Sequence, residues 1–348
     1  MLGSAGSDRA LGLDVLRGVA AVAVMFSHYI NWWDRYVADI PVIAPGLYGY
    51  HAVQLFFVIS GVVIFNTLQK CQSVRHFAFL RFSRLYPTYW ATLLGVALLT
   101  WLLFGQAPWP GGLIVNTTMF QEFLGYPNLD NVYWSLTIEL AFYVHVAWLF
   151  ALGWHTRVYR VCACWLILAC IWAIAVGKPN DEERDLFALL FVFDQAAFFV
   201  IGIMIFTIRE NGIDVFKAAT LGAAFITAFI VEGLSGLLVA VTLAALVLAA
   251  IYGKLNFLVN RVTLWFGNIS FALYLVHRNL GYLWLEKLSA AGYGPVISIV
   301  PMIVMATLLA WLVHEAVEKP SLTALRRIGD QRFKPVMRKS QVGQTDNG

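Results

Sequence analysis

The chain has 348 residues, of which 60% are hydrophobic and only 13% charged, and its mean hydropathy is +0.72. A soluble domain carries about twice that charged fraction, so the composition excludes a soluble enzyme and predicts an all-α, polytopic membrane protein whose length is used up by its spans. The net charge of +4 says little until it is placed loop by loop, and no nucleic-acid partner is expected.

Apolar runs of roughly 18 to 24 residues predict about ten transmembrane helices. They cover residues 13–33, 47–69, 87–105, 133–152, 158–176, 186–208, 215–232, 234–252, 262–284 and 295–316. The boundary at Glu232-Gly233 is the weakest, and a single long segment there would give nine spans. The first run is too long and too charged for a cleavable signal peptide and reads as a retained span. Four cysteines, Cys71, Cys162, Cys164 and Cys170, lack the paired spacing of a zinc site or a disulfide framework and read as small packing residues; no metal is expected.

Lysines and arginines are divided unequally between the two sets of loops. One side holds Arg9, Lys70, Arg75, Arg81, Arg84, Arg157, Arg160, Arg209, Lys217, Lys254, Arg261, Lys319 and the tail; the other holds Arg35, Lys178, Arg184 and Lys287. The positive-inside rule then places both termini in the cytoplasm. Residues 1–320 form the transmembrane domain on this reading, and 321–348 a basic, partly disordered cytoplasmic tail.

The first span, Leu13 to Trp33, buries Asp14, Arg17 and His28 in an apolar run. Arg17 and His28 are eleven residues apart, so they share a helix face with a separation of about 16 Å. Charges at that depth need a function or a partner. Arg81 and Arg84, three apart in the inner loop, read either as positive-inside anchors or as a grip for a phosphorylated ligand. The outer loop from Gly105 to Val132 offers Trp109, Asn116, Gln121, Glu122, Tyr126, Asn128 and Asp130, either for a sugar or as an interfacial belt.

In the fourth span Ser135 and Glu139 share a face. Glu139 reads as a functional carboxylate or as the structural partner of Arg17. In the ninth span Ser270, Tyr274, His277 and Gly281 fall on one stripe, with Arg278 rotated away and placed to snorkel. His277 reads as a core histidine or as a chemical group. At 1.5 Å per residue, His28, His277 and Glu139 reach a common level of about 20 Å from the cytoplasmic face. Asp194-Gln195 and His314-Glu315 read as structural pairs.

Six motifs in order resemble the acyltransferase-3 family, which includes bacterial O-antigen, exopolysaccharide and Nod-factor acetyltransferases. They are Arg17 with His28 eleven positions on, LFFVISG (Leu55 to Gly61), RFSRLYP (Arg81 to Pro87), YWSLTIE (Tyr133 to Glu139), ISFALYLVH (Ile269 to His277) and EKP (Glu318 to Pro320). One departure is that Arg278-Asn279 stand where many members have a proline two residues after the late histidine.

The resemblance implies transfer of an acyl group, usually acetyl, from cytoplasmic acyl-CoA to a hydroxyl of an extracytoplasmic or lipid-linked glycan at the bacterial inner membrane, with no tightly bound cofactor. Carried onto this chain, it implies acyl-CoA phosphates at Arg81 and Arg84 and the thioester arm along the Arg17–His28 face. His28 is the expected general base or, alternatively, a transient acyl carrier. Glu139 is expected to orient His28 or to hold the acceptor. Arg17 stabilises the donor or locks the helix through Asp14. Ser135, Trp134, Tyr274 and His277 are candidates for the substrate or oxyanion site. A small-molecule acyltransferase acting on a macrolide or lipid, and a proton-coupled transporter, are the rival readings.

Overall fold

The structure is a computed structural model that describes residues 4–37, 49–176 and 185–333. Among these residues it is all-helical, and seven helices are long and apolar enough to cross a membrane. Two of the outer-loop cations counted above, Lys178 and Arg184, lie outside the described residues, as does the tail from Lys334 onward.

The chain opens with α1 (Ser4–Tyr36) and α2 (Gly49–Leu68). Helix α3 (Val74–Phe104) begins where the side chain of Ser73 accepts the His76 N–H at 3.2 Å, and it runs through Pro87. The inner loop carrying Arg81 and Arg84 is therefore the first turns of a helix of about 46 Å. The short α4 (Pro110–Asn116) lies in the long outer loop. Two spans follow, α5 (Trp134–Ala151) and α6 (Val158–Val176).

The sixth and ninth predicted spans are interrupted, and the seventh and eighth meet at a turn. The sixth is split into α7 (Leu186–Phe191) and α8 (Ala196–Asn211) around Val192, whose φ is +55°. The seventh and eighth form α9 (Val215–Ile251), interrupted at Gly233, where φ is +76° and ψ −159°. A Cβ on Gly236 would lie 2.5 Å from the carbonyl oxygen of Ala228. Eight residues of continuous helix cover about 12 Å, so the chain doubles back at Gly233. The weak boundary is a turn, and the positive φ there is a conformation that glycine adopts without a Cβ clash.

The predicted ninth span ends early. Helix α10 (Arg261–Val276) starts at an Asn260 capping box and stops before His277, and α11 (Arg278–Ala290) leaves at a new angle. Then α12 (Pro295–Val313) passes through a π-turn, His314–Glu318, into α13 (Lys319–Arg332). The start of the charged tail is thus an ordered helix, packed against the first turns of α3 through Phe79 and Gly329.

Helix α1 is central and packs against α2, α9, α10, α11 and α12. Its closest neighbour is α10, because a Cβ on Gly18 would sit 2.6 Å from the backbone nitrogen of Gly267. Two glycines facing each other let the backbones nearly touch, which is how helices pack tightly where no water drives them together.

Candidate active site

A cavity opens between α1, α2, α3, α5 and α10. Arg17, Arg81, Arg84, Ser135, Glu139 and Tyr274 all line it, joined by Ser60 and Tyr143. Six of the sequence-predicted residues therefore meet in one space, although they come from four helices.

The arginines sit at the end nearer α13, and each is held. Arg84 donates to Glu318, and its guanidinium lies 5.4 Å from the Phe271 ring centre. Glu318 is fully buried, and its second oxygen faces His314 Nδ1 at 3.1 Å. The π-turn adds one residue to the helical repeat there, a device often seen at functional sites, and places Glu318 at the cavity's edge. Arg81 lies over Tyr143 at 5.7 Å and over Phe77 at 5.8 Å. Its Nη2 is 3.4 Å from Thr67 Oγ1, while its Nε is buried with no hydrogen-bond partner among the described residues. Arg17 faces Asp14 at 3.7 Å. Three guanidiniums gathered at one mouth suit an anion with several oxygens.

Glu139 accepts from Ser60 Oγ at 3.0 Å and from the Tyr143 hydroxyl. Further along, the hydroxyls of Ser135 and Tyr274 meet at 2.7 Å, and both approach Val132 O, at 3.1 Å each. Two hydroxyl hydrogens can make only two of these three contacts, so either group can turn its hydrogen toward a ligand oxygen while the other stays bonded. Trp134 does not line this cavity; its ring stands edge-on to Phe57 at 6.2 Å.

The histidines form a separate centre on the far side of Tyr274, whose ring lies 5.9 Å from that of His277. His277 Nε2 and His28 Nδ1 are 3.0 Å apart, and the rings stack at 5.0 Å. The expected Glu139–His28 partnership is therefore not formed: the three ionisable groups divide into two clusters, and the group that orients His28 is His277. Depth along the membrane normal, the only coordinate a sequence supplies here, does not distinguish which helices face each other.

The tautomers follow from the partners. His277 Nδ1 lies 3.1 Å from Leu273 O and 3.0 Å from Tyr274 O. Carbonyl oxygens only accept, so Nδ1 carries the hydrogen. A neutral His277 then presents a bare Nε2, and His28 must donate to it from Nδ1. The remaining nitrogen, His28 Nε2, is left with its lone pair. A base so arranged takes a proton while its other N–H stays bonded to an acceptor that stabilises the resulting cation.

A second departure concerns Arg278. It does not snorkel; it sits 3.5 Å from Asp130, which is 2% exposed, and over the Tyr282 ring at 4.8 Å. Asp130 also accepts the Val132 N–H at 3.2 Å and the Asn279 N–H at 3.0 Å. Burial pushes its carboxyl up, against the opposing pull of Arg278 and the two backbone donors. Asn279 stands at the position of the family's frequent proline, and its amide hydrogen, which a proline lacks, is what Asp130 binds. The sequence reading missed Ser60, Tyr143 and Glu318 as site residues, and it offered Asp130 for a sugar or an interfacial belt rather than as the partner of Arg278. Ser60 and Glu318 stood within quoted motifs, and Tyr143 is one turn from Glu139 on the same face.

Residues 11–315 match the pattern of the acyltransferase domain family Acyl_transf_3. The acyltransferase MdmB of Streptomyces mycarofaciens is 28% identical over an alignment spanning 90% of this chain and 91% of its own length. Nodulation protein 10 of Rhizobium leguminosarum bv. viciae is 27% identical over 38% of this chain and 41% of its own. No solved structure matches.

Proposed function

The chain belongs to the Acyl_transf_3 acyltransferase family, and on that premise we propose that it is a membrane-bound O-acyltransferase that moves an acyl group, acetyl in the first instance, from cytoplasmic acyl-CoA to a hydroxyl of an extracytoplasmic or lipid-linked glycan. On this reading the chain spans the bacterial inner membrane ten times, with both termini in the cytoplasm. The doubled-back α9 supports the span count, and the loop charges support the orientation.

The observation that carries the reading is the bare Nε2 of His28, held by His277. The donor enters from the arginine end, with its phosphates against Arg81 and Arg84 and its pantetheine arm past Glu139 toward Tyr274. The acceptor hydroxyl loses its proton to His28 Nε2 as its oxygen attacks the thioester carbonyl. Ser135 or Tyr274 donates to the oxyanion of the tetrahedral intermediate. Collapse breaks the C–S bond, and the leaving thiolate takes the proton back from His28. Each proton is accounted for, and no tightly bound cofactor takes part.

Mass spectrometry of surface glycans from cells with the intact gene, without it, and with His28→Ala tests the proposal. The expected result is an ester-linked acyl group present only with the intact gene. Removing a general base costs about 10²- to 10⁴-fold, so the alanine variant resembles the deletion. Glycans unchanged by the deletion sink the acceptor assignment.

A further inference from the structure

At the end of α1 away from Arg17, a second cleft lies between Asn31, Trp32, Arg35 and Tyr36 of α1 and Arg278 and Tyr282 of α11. Three of its walls are aromatic: Trp32 lies 5.5 Å from Tyr36 and 6.3 Å from Tyr282 between ring centres. The Tyr282 ring also stands edge-on to His28 at 6.2 Å, so this cleft and the histidine pair share a wall. Trp32 is one helical turn beyond His28 on α1, on the same face.

The polar groups have one sign. None of the six lining side chains is a carboxylate. The Asp130 carboxylate is buried and engaged with Arg278, Val132 and Asn279. Asp130 and the Tyr282 ring together fix the Arg278 guanidinium in place. A guanidinium has five N–H donors, and those not turned to Asp130 or to the Tyr282 hydroxyl remain for a ligand. Arg35, in the last turn of α1, lines the same cleft. Aromatic faces accept the apolar side of a sugar ring, and paired guanidiniums favour an anionic oxygen over a hydroxyl.

We propose that this cleft is the acceptor subsite and that it takes a sugar ring bearing an anionic substituent, such as a uronic acid, and presents one of its hydroxyls to His28. The assignment rests on the acyl-transfer reading above. The arginine that supplies the charge follows directly on His277, at a position where the family resemblance gives no residue a role.

The test is equilibrium binding in lipid nanodiscs without donor. Methyl β-glucuronide and methyl β-glucoside are titrated against tryptophan fluorescence, with Trp32→Phe as the control for the signal. The glucuronide binds about ten-fold tighter than the glucoside, the difference expected from one charge-assisted hydrogen bond. That preference disappears in Arg278→Gln and in Arg35→Gln, while both variants keep the parent affinity for acetyl-CoA. Arg35→Gln serves as the second variant because Arg278 also braces the joint between α10 and α11. Equal affinity for the two glycosides, no binding of either, or a preference that survives in both variants overturns the proposal. Inorganic phosphate displacing the glucuronide at equal concentration reduces the cleft to a simple anion site and also overturns it. If surface glycans are unchanged by gene deletion while the glucuronide preference holds, the acyl-transfer reading fails and the subsite stands.

Discussion

The side chain that organises the arginine end of the cavity, the proposed donor end, is one no periodicity reveals. Glu318 is fully buried and neutralises Arg84 while holding His314. Removing one partner of such a pair leaves an uncompensated charge, so Glu318→Ala is a test of folding. Glu318→Gln is the informative change because it keeps the size and one acceptor oxygen. It is expected to raise the KM for acyl-CoA about ten-fold, in line with the loss of one charge-assisted contact, and to leave kcat at saturating donor within about two-fold. Steady-state kinetics in proteoliposomes checks this split; a fall in kcat at unchanged KM removes Glu318 from the donor site. Arg17, Ser135, Glu139 and Tyr274 were legible in the sequence because each is a polar group within an apolar run, and Arg81 and Arg84 because two arginines three apart share one face of the inner loop. The separation of this group from the histidine pair was not, because His277 meets His28 through the facing of α1 and α10, which no single segment encodes.

That facing is set by elements. Gly18 and Gly267 bring α1 and α10 to backbone contact, and the crossing fixes where Arg17 and His28 lie relative to Tyr274 and His277. A side chain at residue 18 meets backbone, which cannot rotate aside. Gly18→Val is expected to cost upward of about 1–3 kcal/mol in overpacking. It lowers the yield of folded protein and reduces transfer by the surviving fraction more than donor binding. Size-exclusion profiles in detergent and acetyl-CoA affinity check this; wild-type yield and activity refute the crossing. Most span positions could be read from apolar run length, but the interruptions could not. The breaks at Val192, between α10 and α11, and in the π-turn lie beside the polar residues Asp194-Gln195, His277-Arg278-Asn279 and His314-Glu315, which read as paired or functional side chains within a span rather than as bends of the chain. Gly233 was the exception, announced by a charged residue beside a glycine.

For the molecule as a whole, the doubled-back α9 makes a prediction about sidedness. Its turn carries the exposed Ser235, and the exposed Thr156 lies between α5 and α6. In a cysteine-free background, Ser235→Cys is expected to react with a membrane-impermeant maleimide only from outside the cell. Thr156→Cys reacts only after the cytoplasmic face is opened. Labelling of Ser235→Cys solely from the cytoplasm removes the orientation, and labelling of both cysteines from the same side removes the ten-span count. On the proposed orientation the arginine mouth opens toward the cytoplasm, the compartment of the proposed donor, and the Trp32–Tyr282 cleft toward that of the proposed acceptor.

Tyr29, next to His28, donates its hydroxyl hydrogen to His277 O at 2.7 Å and presses its ring against Gly281. Consecutive residues of α1 thus grip both the ring and the backbone of His277. When lipid of a different thickness tilts the helices, α1 and the α10–α11 joint move as one piece, and the spacing of the two imidazoles is preserved. The adjustment falls instead on the arginine mouth, where long side chains absorb it. Changes in bilayer thickness should therefore alter how well the donor is held and leave the intrinsic basicity of the acceptor-activating nitrogen unchanged.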